Sequence, residues 1–121
     1  MREIKFRAWI PTEKRIAAVT DIDFEIGIVA VEEVGLEQYN FLADSNVVLE
    51  QYTGLKDVNG VEIYEGDIVK VFHNSIDTVV FRRGCFGLDA NYSHPFTPLC
   101  NLDGSMEVIG SIHQNPELLE G

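Results

Sequence analysis

The sequence predicts an all-β fold, and three observations carry that expectation. Runs rich in Val, Ile, Phe and Tyr alternate apolar with polar side chains at a period of two. Turn-forming residues punctuate them, at Pro11–Lys14, Asn59-Gly60, Glu65-Gly66-Asp67 and Gly84. The strands so delimited are numerous enough to fill 121 residues, leaving one short helical turn at the C-terminus.

In order, Ile4/Phe6/Ala8 alternate with Lys5/Arg7/Trp9 as a half-buried strand. Pro11-Thr12-Glu13-Lys14 connects it to a partner, Arg15 to Val19, closing a first hairpin. Phe24 to Val34 sets Phe24/Ile26/Ile28 against Glu25/Gly27/Val29 and reads as a further strand. Gly35 to Asp44 is expected to be irregular. Val47 to Tyr52 then leads into the central stretch, Gln51 to Phe72.

In that stretch, Asn59-Gly60 tolerates the positive φ of a tight two-residue hairpin turn. Gly66 suits a left-handed turn position, and the Asp67 carboxylate can accept backbone N–H bonds beside it. Ile68 to Phe72 is apolar on both faces, which predicts cover on both sides by a second sheet, a subdomain or another subunit. Beyond His73–Asp77, the strands Thr78–Arg83 and Cys85–Asp89 flank Gly84 as a hairpin. Ala90–Pro98 reads as a loop and Met106–Ile112 as the last strand. Asn115 is a suitable N-cap and Pro116 a suitable first helical residue for a turn over 116–120.

Three ordered segments stand out: Met1–Trp9, then Gln51–Asp57 with Asn59-Gly60 and Glu62–Val69, and last Glu107–Ile112 with Asn115–Leu119. Together they resemble the YopX family of small phage and prophage proteins. Residues 21–46 match nothing in the family pattern. The resemblance implies a mostly β, SH3-like, partly closed barrel, phage or prophage origin, and self-assembly. It implies no catalytic residues. On this basis the expected organisation is a single domain, with an N-terminal β subdomain at 1–46 and a barrel at 47–121.

The length suits one domain able to bury ~65% of its unfolded surface. An apolar content of 45% argues against disorder. No apolar run nears the ~20 residues of a membrane helix, and no signal-peptide pattern opens the chain. Two cysteines without scaffold spacing suggest reduced thiols, so a soluble cytoplasmic protein is expected. The net charge of −11 opposes direct binding to a phosphate backbone. Residues 1–15 carry a net +3, leaving −14 on the remainder. That split reads either as a basic edge strand lying on an acidic body or as a basic arm for a neighbour's acidic face.

Signals for chemistry are weak. His73, Cys85, His94, Cys100 and His113 lack paired zinc-ligand spacing, so no metal or other cofactor is expected. Asp57–Glu62 resembles the start of a calcium loop, but the Gly is misplaced and a hairpin turn accounts for every residue. Cys85 lies near Arg82 and Arg83; strand alternation puts Arg83 on its side and Arg82 on the other. Glu62, Glu65 and Asp67 place three carboxylates around one glycine turn, the best candidate for acid–base chemistry and still weaker than a structural reading.

Trp9, Tyr52, Tyr64, Ile68 and Phe72 are the candidate interface residues, and Asn59, Gly60, Gly66 and Asp67 the structural turn residues. The expected function is a non-catalytic accessory protein acting through self-association and contacts with a host or phage protein. The alternative is a nucleic-acid-related role, by direct binding or by acidic mimicry of DNA towards a host protein.

Overall fold

A computed structural model describes residues 3–31, 38–40, 47–71, 75–82, 84–89, 96–102 and 104–119, with 38–40 by backbone alone. The fold is all-β. Two antiparallel sheets and two short 3₁₀ turns account for its regular structure among the described residues. The chain divides into two compact units, one at Glu3–Gln51 and one from Tyr52 onward.

In the N-terminal unit, β1 (Phe6–Ile10), β2 (Arg15–Asp23), β3 (Ile28–Val31) and β4 (Gln38–Asn40) form a meander. The first half of β5 (Val48–Lys56) pairs with β1, so the order is β4-β3-β2-β1-β5. The period-two pattern sets the buried face. Ala8 lies opposite Ala17 on one side and Leu49 on the other, and these pack with Ile10, Val29, Val31 and Val47 as the core. The buried members of β1 are Ala8 and Ile10; Ile4 lies outside the strand and is exposed.

One expected strand is split. The residues from Phe24 do not continue as a strand; residues 24–27 are the turn between β2 and β3, and β2 runs on to Asp23. The Asp23 carboxylate accepts the Glu25 and Ile26 amides. Gly27 closes the turn at φ 73°, its N–H donating to the Asp23 carbonyl. Phe24 and Ile26, which alternate like core residues in sequence, stand on this turn in solvent. Within Gly35–Asp44, expected to be irregular, Gln38–Asn40 forms β4; residues 35–37 and 41–44 lie outside the described residues.

In the C-terminal unit, the second half of β5 pairs with β6 (Glu62–Tyr64). A five-stranded sheet follows, built from β7 (Asp67–Lys70), β8 (Ile76–Arg82), β9 (Cys85–Asp89), β10 (Thr97–Pro98) and β11 (Glu107–Ser111) in the order β10-β9-β8-β7-β11. Ile63, Val69, Val79, Leu88, Leu99 and Met106 make its core. Gly87 is there for space: a Cβ on it would run into the Phe96 ring and sit 2.6 Å from the Thr97 carbonyl oxygen.

The sheet is open, with β10 and β11 as its edges among the described residues, so strand pairing does not close a barrel. The β5–β6 turn is bonded to the segment of β11 at two points: the Val58 N–H donates to the carbonyl of Met106, just before β11, and the Val108 N–H to the Asp57 carboxylate. The C-terminal turn forms over Pro116–Leu119. Asn115 precedes it but does not cap it: its side-chain oxygen accepts the Ser111 N–H at the end of β11, over Gly110. Residues 90–95 of the expected loop lie outside the described residues.

Candidate functional site

The turn residues of the central stretch are where the backbone needs them. The β5–β6 loop has three residues, Val58-Asn59-Gly60, with only Gly60 at positive φ (82°). The Gly60 N–H donates to the Asp57 carbonyl, and the Asp57 N–H to the Val61 carbonyl. This is a type I turn followed by a left-handed glycine, so the two-residue turn expected at Asn59-Gly60 is replaced by the three-residue form. Asp57 chooses between them. Its buried carboxylate takes the Asn59 and Val61 amides at 2.8 Å on one oxygen and the Val108 amide at 3.0 Å on the other. Burial pushes this carboxyl up; the amides of Val108, Val61 and Asn59 outweigh burial and hold it below the ordinary value.

Gly66 sits at φ 89° between β6 and β7. Its N–H donates to the Val79 carbonyl and its carbonyl accepts from Ile112, so one turn is tied to β8 and to the residue after β11. Asp67 is buried and accepts the Tyr64 N–H at 2.8 Å. The carboxylate trio therefore has one member committed to holding its own turn. Glu62 and Glu65 are half-buried, and Glu62 lies across the ladder from Lys56. Sequence reasoning placed Asp67 in this structural role; it missed Asp57, whose third donor is 51 positions away.

The interface candidates separate. Tyr52 faces Tyr64 across β5–β6 with ring centroids 5.5 Å apart, and Tyr52 is 6% exposed. Ile68 is fully enclosed, as is Val69 on the opposite face of β7. Both sides of this strand are covered within the chain at these positions, so no second copy is needed to hide them. Trp9 and Tyr64 are half-buried and retain surface; Phe72 lies outside the described residues. Among the metal-ligand candidates Cys85 and His113 are half-buried and Cys100 exposed; His73 and His94 lie outside the described residues. The hairpin makes Arg82 the direct cross-strand partner of Cys85, because a tight turn opposes residues that strand alternation alone would separate. Arg82 donates to Asp89 at 2.8 Å, and Arg83 lies outside the described residues.

The basic segment is largely neutralised inside its own unit. Arg7 Nε donates to Glu50 at 2.8 Å, Arg15 Nε to Glu13 at 2.7 Å, and Lys5 lies 3.1 Å from Glu3. These pairs tie the segment into its own unit, and β1 lies between β2 and β5 rather than at an edge, which corrects the expected basic edge strand. Arg7 and Glu50 are direct cross-strand partners on the face opposite Ala8.

Among the described residues, exposed apolar side chains include Ile4, Val58 and Val61, and two hairpin ends carry exposed aromatic rings. One is the β2–β3 turn, with Phe24 70% and Ile26 57% exposed. It is flanked by the exposed carboxylates of Asp21, Asp23 and Glu25. The other lies at the end of the β8–β9 hairpin, where Phe81, 53% exposed, meets Phe86 edge-on at 5.0 Å. A shallow groove also opens between Ile4–Phe6 and Val19–Ile22. No helix among the described residues is long and apolar enough to cross a membrane.

Comparison with known proteins fits this architecture. A solved structure of protein EF1440 from Enterococcus faecalis is similar over 99% of this chain and 100% of its own, at 30% identity and a TM-score of 0.74. That of protein yopX from Bacillus subtilis is similar over 96% and 98%, at 22% identity and a TM-score of 0.69, which bears on the fold alone. No curated protein sequence matches. The family model described as YopX protein matches residues 5–120, and by that match the chain belongs to the YopX family.

Proposed function

We propose that this is a non-catalytic accessory protein of phage or prophage origin, working in the host cytoplasm through contacts with other proteins and with copies of itself. The observation that carries the reading is large apolar surface held on ordered hairpin ends: Phe24 and Ile26 in one unit, Phe81 in the other. Exposed aromatic side chains on rigid turns cost little entropy to bury and are typical contact anchors. The carboxylates best placed for chemistry are half-buried at a turn whose Asp67 already holds the backbone. On this reading the C-terminal unit is an SH3-like module, and Trp9 in one unit and Tyr64 in the other are separate candidates for self-contact.

Light scattering on the full chain at micromolar concentration tests self-association. The expected result is a mass above that of the monomer, falling towards it in Phe81→Ser. A monomer at every concentration removes self-association from the reading.

A second reading, acidic mimicry of DNA towards a host protein, draws on one feature of the charge pattern. From Ile16 to Leu55 the chain has eight carboxylates and no Lys, Arg or His. A basic DNA-binding protein that binds the chain at low salt and is released by added duplex DNA is the outcome it requires.

A further inference from the structure

We infer that the β2–β3 hairpin tip, residues 21–27, is a docking element for a protein surface in which Lys and Arg rim an apolar pocket. The inference rests on the protein-contact reading above and names the partner chemistry for one of its surfaces.

The geometry begins with Asp23. By accepting the Glu25 and Ile26 amides at 3.0 and 3.3 Å, its carboxylate fixes the turn, and Gly27 ends it with a 2.8 Å bond back to the Asp23 carbonyl. Phe24 and Ile26 are thus presented from a backbone held by its own hydrogen bonds, which lowers the ordering cost of association. In sequence both keep the alternation of Ile28, opposite to that of Val29 and Val31 in the core, and the turn leaves them exposed.

Charge selects the occupant. Exposed Asp23 and Glu25 flank the two apolar side chains in sequence, Asp21 precedes them in a groove it shares with Lys5, and no basic residue occurs between Arg15 and Lys56 in sequence. A second copy of this tip would bring like charges together as the apolar groups met, and nucleic acid or an anionic bilayer would be repelled for the same reason. A basic rim is attracted during approach, and its pocket then takes the Phe24 ring; the first step is salt-sensitive and the second is not.

The test uses the full chain, labelled with ¹⁵N, and three synthetic peptides of equal length: alternating Lys/Leu, Lys/Ser and Glu/Leu. Vesicles of phosphatidylcholine with phosphatidylglycerol are titrated separately. The expected result is shift changes centred on residues 21–27 with the Lys/Leu peptide, at least tenfold weaker with Lys/Ser and absent with Glu/Leu. Phe24→Ser/Ile26→Ser should lose at least tenfold in affinity for Lys/Leu while keeping its unfolding midpoint, and Phe81→Ser should bind normally. Asp21→Asn/Glu25→Gln should bind Lys/Leu less tightly and lose its salt dependence.

Equal binding by the Phe24/Ile26 variant, shifts centred outside 21–27, or vesicle binding tighter than peptide binding would overturn the assignment. Those outcomes would leave Phe81-dependent self-association standing. If light scattering also gave only monomer and no peptide bound, both readings would fall.

Discussion

Asp57 makes one carboxylate serve three backbone amides, two in its own turn and one on β11. Asp57→Ala leaves those donors without their acceptor, and a loss of about 2–4 kcal/mol is expected in urea unfolding at neutral pH. The pH dependence follows from the lowered folded-state value. The unfolded chain binds this proton more readily than the folded one, so the contribution is complete above about pH 4 and is lost as pH falls through the folded value. Asp57→Asn should therefore be less stable than wild type near neutrality and show a smaller further loss on acidification. Equal acid sensitivity in the two proteins would contradict this.

Gly66 is a second residue on which much converges, because φ 89° lies where a side chain is strained and both its peptide groups are bonded. Gly66→Ala should cost at least about 1 kcal/mol by the same measurement. Gly66 and Asp67 were legible, since a Glu-Gly-Asp break between apolar runs has few other uses. Asp57 was not legible, because nothing local distinguishes a turn acid facing water from one bonded to a distant strand.

At the scale of elements, the Arg7–Glu50 pair crosses the β1–β5 ladder with side chains 12% and 4% exposed. Removing one partner takes an opposite charge away from a buried group. Arg7→Ala or Glu50→Ala should each lose about 3 kcal/mol, whereas the double change to leucine should lie much closer to wild type. A double-mutant cycle in urea checks the pair, and additive losses would argue against coupling.

The β1–β2 and β8–β9 hairpins could be read from alternation and from Gly84. The β2–β3 boundary could not, because Phe24 and Ile26 keep the strand period through a turn. The signal that could have located it is the pairing of Asp23 with Gly27, a side chain able to hold the turn and a residue able to leave it left-handed. Sequence also located the β5–β6 turn while mistaking its length, since Asn-Gly suits a two-residue loop and Asp57 stabilises the three-residue one.

For the whole molecule, a net charge of −11 opposes compaction through self-repulsion. Thermal unfolding followed by circular dichroism should give a midpoint that rises from low salt to about 0.5 M sodium chloride, where the Debye length shrinks to a few ångströms. A falling midpoint would mean that attractive pairs such as Arg7–Glu50 dominate the balance. The all-β class was readable from strand count alone. Barrel closure was not, because it depends on which edges pair, and here β6 pairs with β5 while β11 stays an edge. Of the proposed contact surface, the aromatic content was readable but its placement was not. Tyr52 and Ile68 are enclosed, and the exposed anchors are residues whose alternation marks them for the interior.

The bond from Val108 to Asp57 also bears on how the protein is made. During synthesis the β5–β6 hairpin leaves the ribosome well before its third donor exists, so the nascent carboxylate must wait in water for a strand some fifty residues behind it. A message cut short upstream of codon 108 would yield a chain with that anchor permanently vacant. Such a fragment would be a natural target for the cell's proteases.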